Sequence, residues 1–151
     1  MNYKTFFHYV SYAQYPLMLM GLYFAFKPYL NGLDFLNDNP EVIFDNLNSV
    51  LIFMGLGISF SSLQDTSKTQ NELSKKVWQN PRKGKIAIII MSLFILILLT
   101  LGLTGFYFSE TGILKDLSIG IIVLSLGMFG LLKAAIEMFE NHRADKKISN
   151  M

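Results

Sequence analysis

Four stretches of the chain contain no charged residue, and charged connectors separate them. These uncharged windows cover residues 5–26, 46–64, 86–109 and 117–132. A transmembrane helix needs about 20 consecutive, mostly apolar residues, and the windows are close to that length. The pattern therefore predicts an all-α fold: an integral membrane bundle of four transmembrane helices.

The predicted protein is one four-helix transmembrane domain over residues 1–151. The predicted spans cover about 5–29, 44–64, 85–108 and 116–138. The segments outside them are the external loops 30–43 and 109–115, the cytoplasmic loop 65–84 and the cytoplasmic tail 139–151. The hydrophobic fraction of 52% and the mean hydropathy of +0.38 are typical of a membrane protein rather than of a soluble domain.

The basic residues are segregated along the chain. Of the 13 lysines and arginines, only Lys27 and Lys115 lie in the first and third connectors. Cytoplasmic loops carry an excess of basic residues, so both termini are predicted to be cytoplasmic. The residues expected to set this orientation, and to contact the bilayer and anionic lipid headgroups, are Lys75, Lys76, Arg82, Lys83, Lys85 and Lys133. Lys133 closes a short window, and its long stem can carry its ammonium to the headgroups.

Proline and asparagine predict the details of the first two spans. Pro16 removes one backbone hydrogen bond and should kink the first helix about one turn earlier. The connector 31–39 is rich in Asn, Asp and Gly and is predicted to be a loop. Asn39, Pro40 and Glu41 have the order of a capped helix start, so the second helix is expected to begin there.

The connector after the second span has its own helix signals. Residues 69–72 match a capping box, and an apolar pair follows it, so a short amphipathic helix is predicted to end near Trp78 on the membrane surface. Asn80 and Pro81 are predicted to end this helix and to start the third span.

Small residues recur at helical spacing in the second and fourth spans. Such residues allow helices to approach closely in a membrane. The predicted packing positions are Gly55, Gly57, Ser59, Ser61, Gly120, Gly127, Gly130 and Ala134. They fit two arrangements, packing within one chain or contact with another chain in a homo-oligomer or a larger membrane complex.

The residues that usually carry chemistry in membranes are scarce. None of the four windows contains an Asp, Glu, Lys or Arg, and the chain has no cysteine. Proton-coupled transporters typically depend on a buried carboxylate, so an autonomous ion-coupled transporter is disfavoured. No metal-ligand spacing, phosphate loop or catalytic triad occurs, so we expect no enzymatic activity, no cofactor and no nucleic-acid partner.

One polar face is a candidate ligand site. His8, Ser11, Tyr12 and Tyr15 share a side of the predicted first helix. They fit a pocket for a lipid or quinone headgroup, but the pattern favours an interfacial belt of aromatic residues whose polar tips reach water.

Three functions follow from these patterns. The first is a non-catalytic membrane subunit or scaffold that acts through helix packing, and the sequence favours it. The second is an oligomeric channel or transport component with its pore between protomers. The third is a membrane enzyme or a lipid- or quinone-binding protein that uses the face of His8, Tyr12 and Tyr15. The abundance of Asn, Lys, Ile and Phe predicts a bacterial inner membrane.

Overall fold

The computed structural model describes residues 3–66 and 72–145, and no strand occurs within them. Its α-helices are α1 (Tyr3–Ser11), α2 (Gln14–Phe26), α3 (Leu33–Asp38), α4 (Glu41–Ser61), α5 (Glu72–Gln79), α6 (Pro81–Phe108) and α7 (Ile113–His142). A 3-10 segment over Lys27–Asn31 follows α2. The all-α prediction is confirmed. The first three residues of the predicted capping box at 69–72, and the tail after residue 145, lie outside the described residues.

Three of the described helices are long and apolar enough to cross a membrane: α4, α6 and α7. They contain 21, 28 and 30 residues. At 1.5 Å per residue their lengths are about 32, 42 and 45 Å, which exceeds the hydrocarbon thickness of about 30 Å.

The outer surfaces of these helices are apolar. On α6, a broad set of large side chains is at least half exposed: Ile86, Ile89, Ile90, Leu93, Phe94, Leu96 and Ile97. Ile95 is fully buried against the neighbouring helix, whereas the buried positions of α7 are mostly Gly, Ser and Ala. Large apolar residues outside and small residues inside fit a protein that is integral to a membrane.

The first predicted span is not one helix. It is interrupted at Tyr12–Ala13, between α1 and α2. Pro16 has no N–H to donate to the Tyr12 carbonyl, and the chain makes 3-10 bonds at this point, including Tyr15 N–H to Tyr12 O at 3.1 Å. The predicted kink is thus confirmed in position, but it is a break rather than a bend.

The connector 31–39 also differs from the prediction. Instead of a loop, residues Leu33–Asp38 form α3, after Gly32 at φ +89°. Asn39 does not cap α4, because its side-chain amide donates to the Phe35 carbonyl at 3.0 Å. The sequence signal was ambiguous, since an Asn between two helices can bond backward as easily as forward.

The predicted start of the third span is confirmed. Asn80 Oδ1 accepts the N–H groups of Arg82 and Lys83 at 3.0 and 3.1 Å, and Pro81 occupies the first turn of α6. At the other end of α6, Gly112 at φ +101° allows the tight turn into α7.

The long helices pack in the order α2, α4, α7, α6, with each in close contact with the next. α2 is antiparallel to α4, and α6 is antiparallel to α7, so the chain forms two helical hairpins. α4 and α7 join the hairpins and run parallel. We call the end that holds α1, α5 and the last turn of α7 the terminal end, and the end that holds α3 and the turn at 109–112 the turn end.

Candidate functional site

The predicted polar face of the first helix is only partly assembled. The Tyr12 hydroxyl lies 3.3 Å from His8 Nε2, and the rings of Tyr12 and Tyr15 stack at 6.0 Å. Ser11 is fully buried and donates to the His8 carbonyl at 2.6 Å, so it is not part of this surface. His8 Nδ1 is buried without a partner among the described residues. Both tyrosines are about half exposed, which fits an open aromatic surface better than an enclosed pocket.

The closest approach between the two hairpins occurs where two glycines meet. A Cβ placed on Gly127 would overlap the Gly55 carbonyl, and a Cβ on Gly55 would lie 2.7 Å from the backbone of Leu124. The backbones of α4 and α7 are therefore in direct contact, which only glycine permits at both positions.

This contact repeats along the two parallel helices, and we call it the α4–α7 seam. One heptad before the glycine pair, Asn48 Oδ1 accepts the Gly120 N–H at 2.7 Å. Toward the terminal end, a Cβ on Gly130 would lie 2.7 Å from Ser62 Oγ and 4.0 Å from Ser59 Cα. Ala134 is buried further along α7. Because the contact residues recur every seven positions on both helices, the same side of α4 faces the same side of α7 along the seam.

The two small-residue stripes of α4 face different neighbours. Gly55 and Ser59 face α7, whereas Gly57 faces α2, where a Cβ would lie 3.1 Å from Met18 Cγ. Ser61 is half-buried at the end of α4. These stripes are thus occupied by helices of the same chain.

Hydroxyl groups of the long helices bond to their own backbones. Each donates to a carbonyl three or four residues earlier in its helix: Ser49 to Asp45, Ser92 to Ile88, Thr100 to Leu96, Ser118 to Lys115 and Ser125 to Ile122. Their hydrogens are therefore already used. These groups do not link into a continuous polar path between the helices.

Most of the predicted basic residues lie together at the terminal end. Lys75 and Lys76 are exposed on α5, and Arg82, Lys83 and Lys85 are exposed on the first turns of α6. Lys133 differs from them, because its ammonium is 2.8 Å from Glu137 Oε1, and Glu137 also accepts the Thr66 hydroxyl at 3.4 Å.

Helix α5 is packed against the ends of α6 and α7. The Ser74 hydroxyl contacts Met138 Sδ at 3.7 Å and accepts the Trp78 indole N–H at 2.9 Å. The Ala144 N–H donates to the Gln79 carbonyl at 3.2 Å. The side of α5 that carries Ser74 and Trp78 therefore faces the protein, which the amphipathic pattern alone did not predict.

Gly84 and Asn48 are two important positions that the sequence analysis missed. Gly84 provides space for Phe139, whose ring would overlap a Cβ at that position. Phe139 lies more than fifty residues after Gly84 in the sequence, so no local pattern could show this contact. The heptad spacing of Asn48 to Gly55 was visible in the sequence, but its partner Gly120 on α7 was not.

A cavity of about 470 Å³ opens at the terminal end between α1, the residues after α4, and α7. Its lining combines Tyr3 and Phe7 with Asp65, Lys133 and Glu137. Within the described residues, no three His, Asp or Glu side chains are grouped closely enough to hold a metal ion.

Comparison with protein-family models, with curated proteins and with solved structures found no match to this chain. The function of the protein is therefore inferred from the geometry of these helices.

Proposed function

We propose that this chain is a four-span protein of the bacterial cytoplasmic membrane, with both termini in the cytoplasm. It acts as a non-catalytic membrane subunit or scaffold through helix packing. The observation that carries this proposal is the α4–α7 seam, which fills the centre of the molecule with backbone contacts and leaves large apolar faces outside.

The fourth span in this proposal consists of α1, α2 and the 3-10 segment. α2 alone has 13 residues, or about 20 Å, which is too short to cross the hydrocarbon layer. The helical pieces on both sides extend it, and exposed apolar residues continue along it, including Leu19, Leu22 and Phe26. Its antiparallel packing on α4 supports the same crossing.

Charge supports the orientation. At the turn end, Lys27 and Lys115 are outnumbered by acidic residues, which are Asp34, Asp38, Glu41, Asp45, Glu110 and Asp116. The remaining basic residues belong to the terminal end or to the segments that continue from it. The positive-inside rule then assigns the terminal end to the cytoplasm.

A pore between protomers has less support. Such a pore needs polar groups that face a second chain. On α6, Ser92 and Thr100 donate instead to their own helix, which leaves the exposed Thr104 as the candidate for that role. Ion flux through proteoliposomes that contain only this protein would reinstate the channel alternative.

Single cysteines test the orientation in a chain that has none of its own. Asn37 and Thr111 are exposed at the turn end, and Gln79 is exposed at the terminal end. In intact cells, a membrane-impermeant maleimide should label Asn37→Cys and Thr111→Cys. Gln79→Cys should react only after the membrane is opened. Labelling of Gln79→Cys in intact cells would contradict the proposed orientation.

Tryptophan substitutions test the scaffold role without disturbing the seam. Ile90 and Ile97 lie seven residues apart on the outer face of α6, and Leu126 is similarly exposed on α7. Lipid accommodates a larger side chain, whereas a packed partner does not. We expect a partner that co-purifies in mild detergent to be released by Ile90→Trp with Ile97→Trp if it packs on α6, and by Leu126→Trp if it packs on α7. A wild-type chain that migrates alone in native gels under every gentle extraction would contradict the scaffold role.

A further inference from the structure

Five basic side chains are exposed at the terminal end, on helices α5 and α6, which pack against each other. We call Lys75, Lys76, Arg82, Lys83 and Lys85 the basic surface. None of these five forms an ion pair with another described residue, whereas Lys133 pairs with Glu137, and Arg143 with Glu140 and Asp145. Glu72 is the one acidic residue between positions 72 and 85. Within that segment, basic residues therefore outnumber acidic ones by five to one.

Contacts beneath this surface hold its two helices in place. The Ser74–Met138 contact and the hydrogen bond from Ala144 to Gln79 attach α5 to α7. The Gly84–Phe139 contact attaches α6 to α7 at the same level. A ligand that binds the five cations does not need to order the backbone that carries them, which favours binding.

We propose that the basic surface binds the phosphate groups of anionic phospholipids. Lys and Arg near a membrane surface attract anionic headgroups. Immediately after Lys85, α6 becomes apolar, and Ile86, Ile89 and Ile90 are each more than half exposed. A phospholipid carries a phosphate next to hydrocarbon and matches both parts. A soluble phosphate or a nucleic acid would contact the charges and leave the adjacent isoleucines uncovered.

The backbone at the start of α6 does not provide the site. Asn80 Oδ1 already accepts the N–H groups of Arg82 and Lys83, so these two amides are not available to a phosphate. The lipid phosphates are therefore bound by the five basic side chains. These contact several lipids rather than enclose a single one. This predicts a preference for negative charge and little discrimination among anionic headgroups.

This proposal rests on the proposed four-span arrangement only in assigning the bound lipids to the cytoplasmic leaflet. Nanodiscs expose both faces of the bilayer, so a measurement in them does not depend on orientation. Failure of this proposal would leave the cysteine labelling unchanged, and an inverted orientation would leave lipid binding in nanodiscs unchanged.

Trp78 is the one tryptophan of the chain, lies in the sequence between Lys76 and Arg82, and is partly exposed. Bromine on a lipid acyl chain quenches a nearby indole. Two nanodisc preparations would contain phosphatidylcholine with the same minor fraction of phosphatidylglycerol. In one the bromine would be on phosphatidylglycerol, and in the other the same amount of bromine would be on phosphatidylcholine. We expect phosphatidylglycerol to be about fivefold or more enriched at Trp78, and the enrichment to fall in high salt.

Three variants complete the test. Lys75→Gln with Lys76→Gln should reduce the enrichment and leave the three α6 cations to maintain orientation, and neutralisation of all five residues should abolish it. The control Lys27→Gln removes a charge at the opposite end and should retain the enrichment. Equal quenching by the two lipids in the wild type would overturn the proposal. So would an unchanged enrichment after neutralisation, or displacement by inorganic phosphate beyond that of chloride at equal ionic strength.

Discussion

At the scale of single residues, the glycines of this protein differ in what surrounds them. Gly127 meets the Gly55 carbonyl, which cannot move without its helix, whereas the nearest atoms to a Cβ at Gly21 are Met54 Cγ and Sδ, at 3.3 and 3.4 Å. A flexible methionine can shift to admit a methyl group, but a backbone carbonyl cannot. Two chemically identical substitutions should therefore have opposite effects.

We expect Gly127→Ala to lower the free energy of unfolding by about 1–3 kcal/mol, because α4 and α7 must separate. Gly21→Ala is the matched control. It should be neutral or stabilising by up to about 1 kcal/mol, since alanine is the better helix former. Unfolding in mixed detergent micelles measures both. Equal losses of stability would mean that the seam is not tighter than other contacts.

The hydrogen bond from Gly120 to Asn48 allows a second comparison on α4. Asn48→Ala removes the acceptor and should lower the free energy of unfolding by about 1 kcal/mol. Ser49→Ala, one residue further, removes a hydroxyl that bonds only to its own helix at Asp45. We expect that control to lose less than half as much in the same micelle assay. A larger loss for Ser49→Ala would show that the bond across the seam contributes little.

At the scale of elements, Pro16 and the cap at Asn80 were readable, whereas the predicted Asn39 cap was wrong and contacts between distant elements were not visible. The break before Pro16 and the start of α6 at Asn80-Pro81 follow from local backbone chemistry. The short helix α3 was missed because turn-forming residues also begin and end helices. The protein-facing side of α5 was missed because an apolar stripe does not reveal whether it meets lipid or a neighbouring helix.

Replacing Pro16 should repair the break between α1 and α2. In Pro16→Ala, residue 16 regains an N–H that can donate to the Tyr12 carbonyl. Amide hydrogen exchange should then slow at residues 12–15. Pro40→Ala is the control, because Pro40 precedes α4 and its missing N–H interrupts no helix. Unchanged exchange at residues 12–15 would place the cause of the break in tertiary packing rather than in the proline.

At the scale of the whole molecule, the seven-residue spacing of small residues was visible in the sequence, but their partners were not. Gly120 and Gly127 indicated a close helix contact and left open whether it lay within one chain. In the structure the contact lies within one chain, between two parallel helices from different hairpins. This arrangement depends on the packing order of all the long helices, which no local sequence pattern reveals. The basic residues were similarly visible, and their common surface required the placement of α5.

The two-hairpin arrangement predicts that the chain can be divided between α4 and α5. Residues 1–70 and 71–151, expressed together as separate chains, should assemble through the α4–α7 seam and co-purify in mild detergent. Gly127→Ala in the second fragment should weaken this assembly by about fivefold or more, as expected for a loss of about 1 kcal/mol or more. Gly21→Ala in the first fragment should not. Fragments that never associate would contradict the two-hairpin description.

The parallel contact between α4 and α7 also imposes an order on biogenesis. When α4 leaves the ribosome, the helix that will cover Gly55 has not yet been synthesised, and α6 must be inserted before it. The side of α4 that carries Asn48, Gly55 and Ser59 therefore faces lipid or an insertion factor until the last helix arrives. A nascent chain arrested before α7 should consequently be the species that quality-control proteases in the membrane degrade fastest.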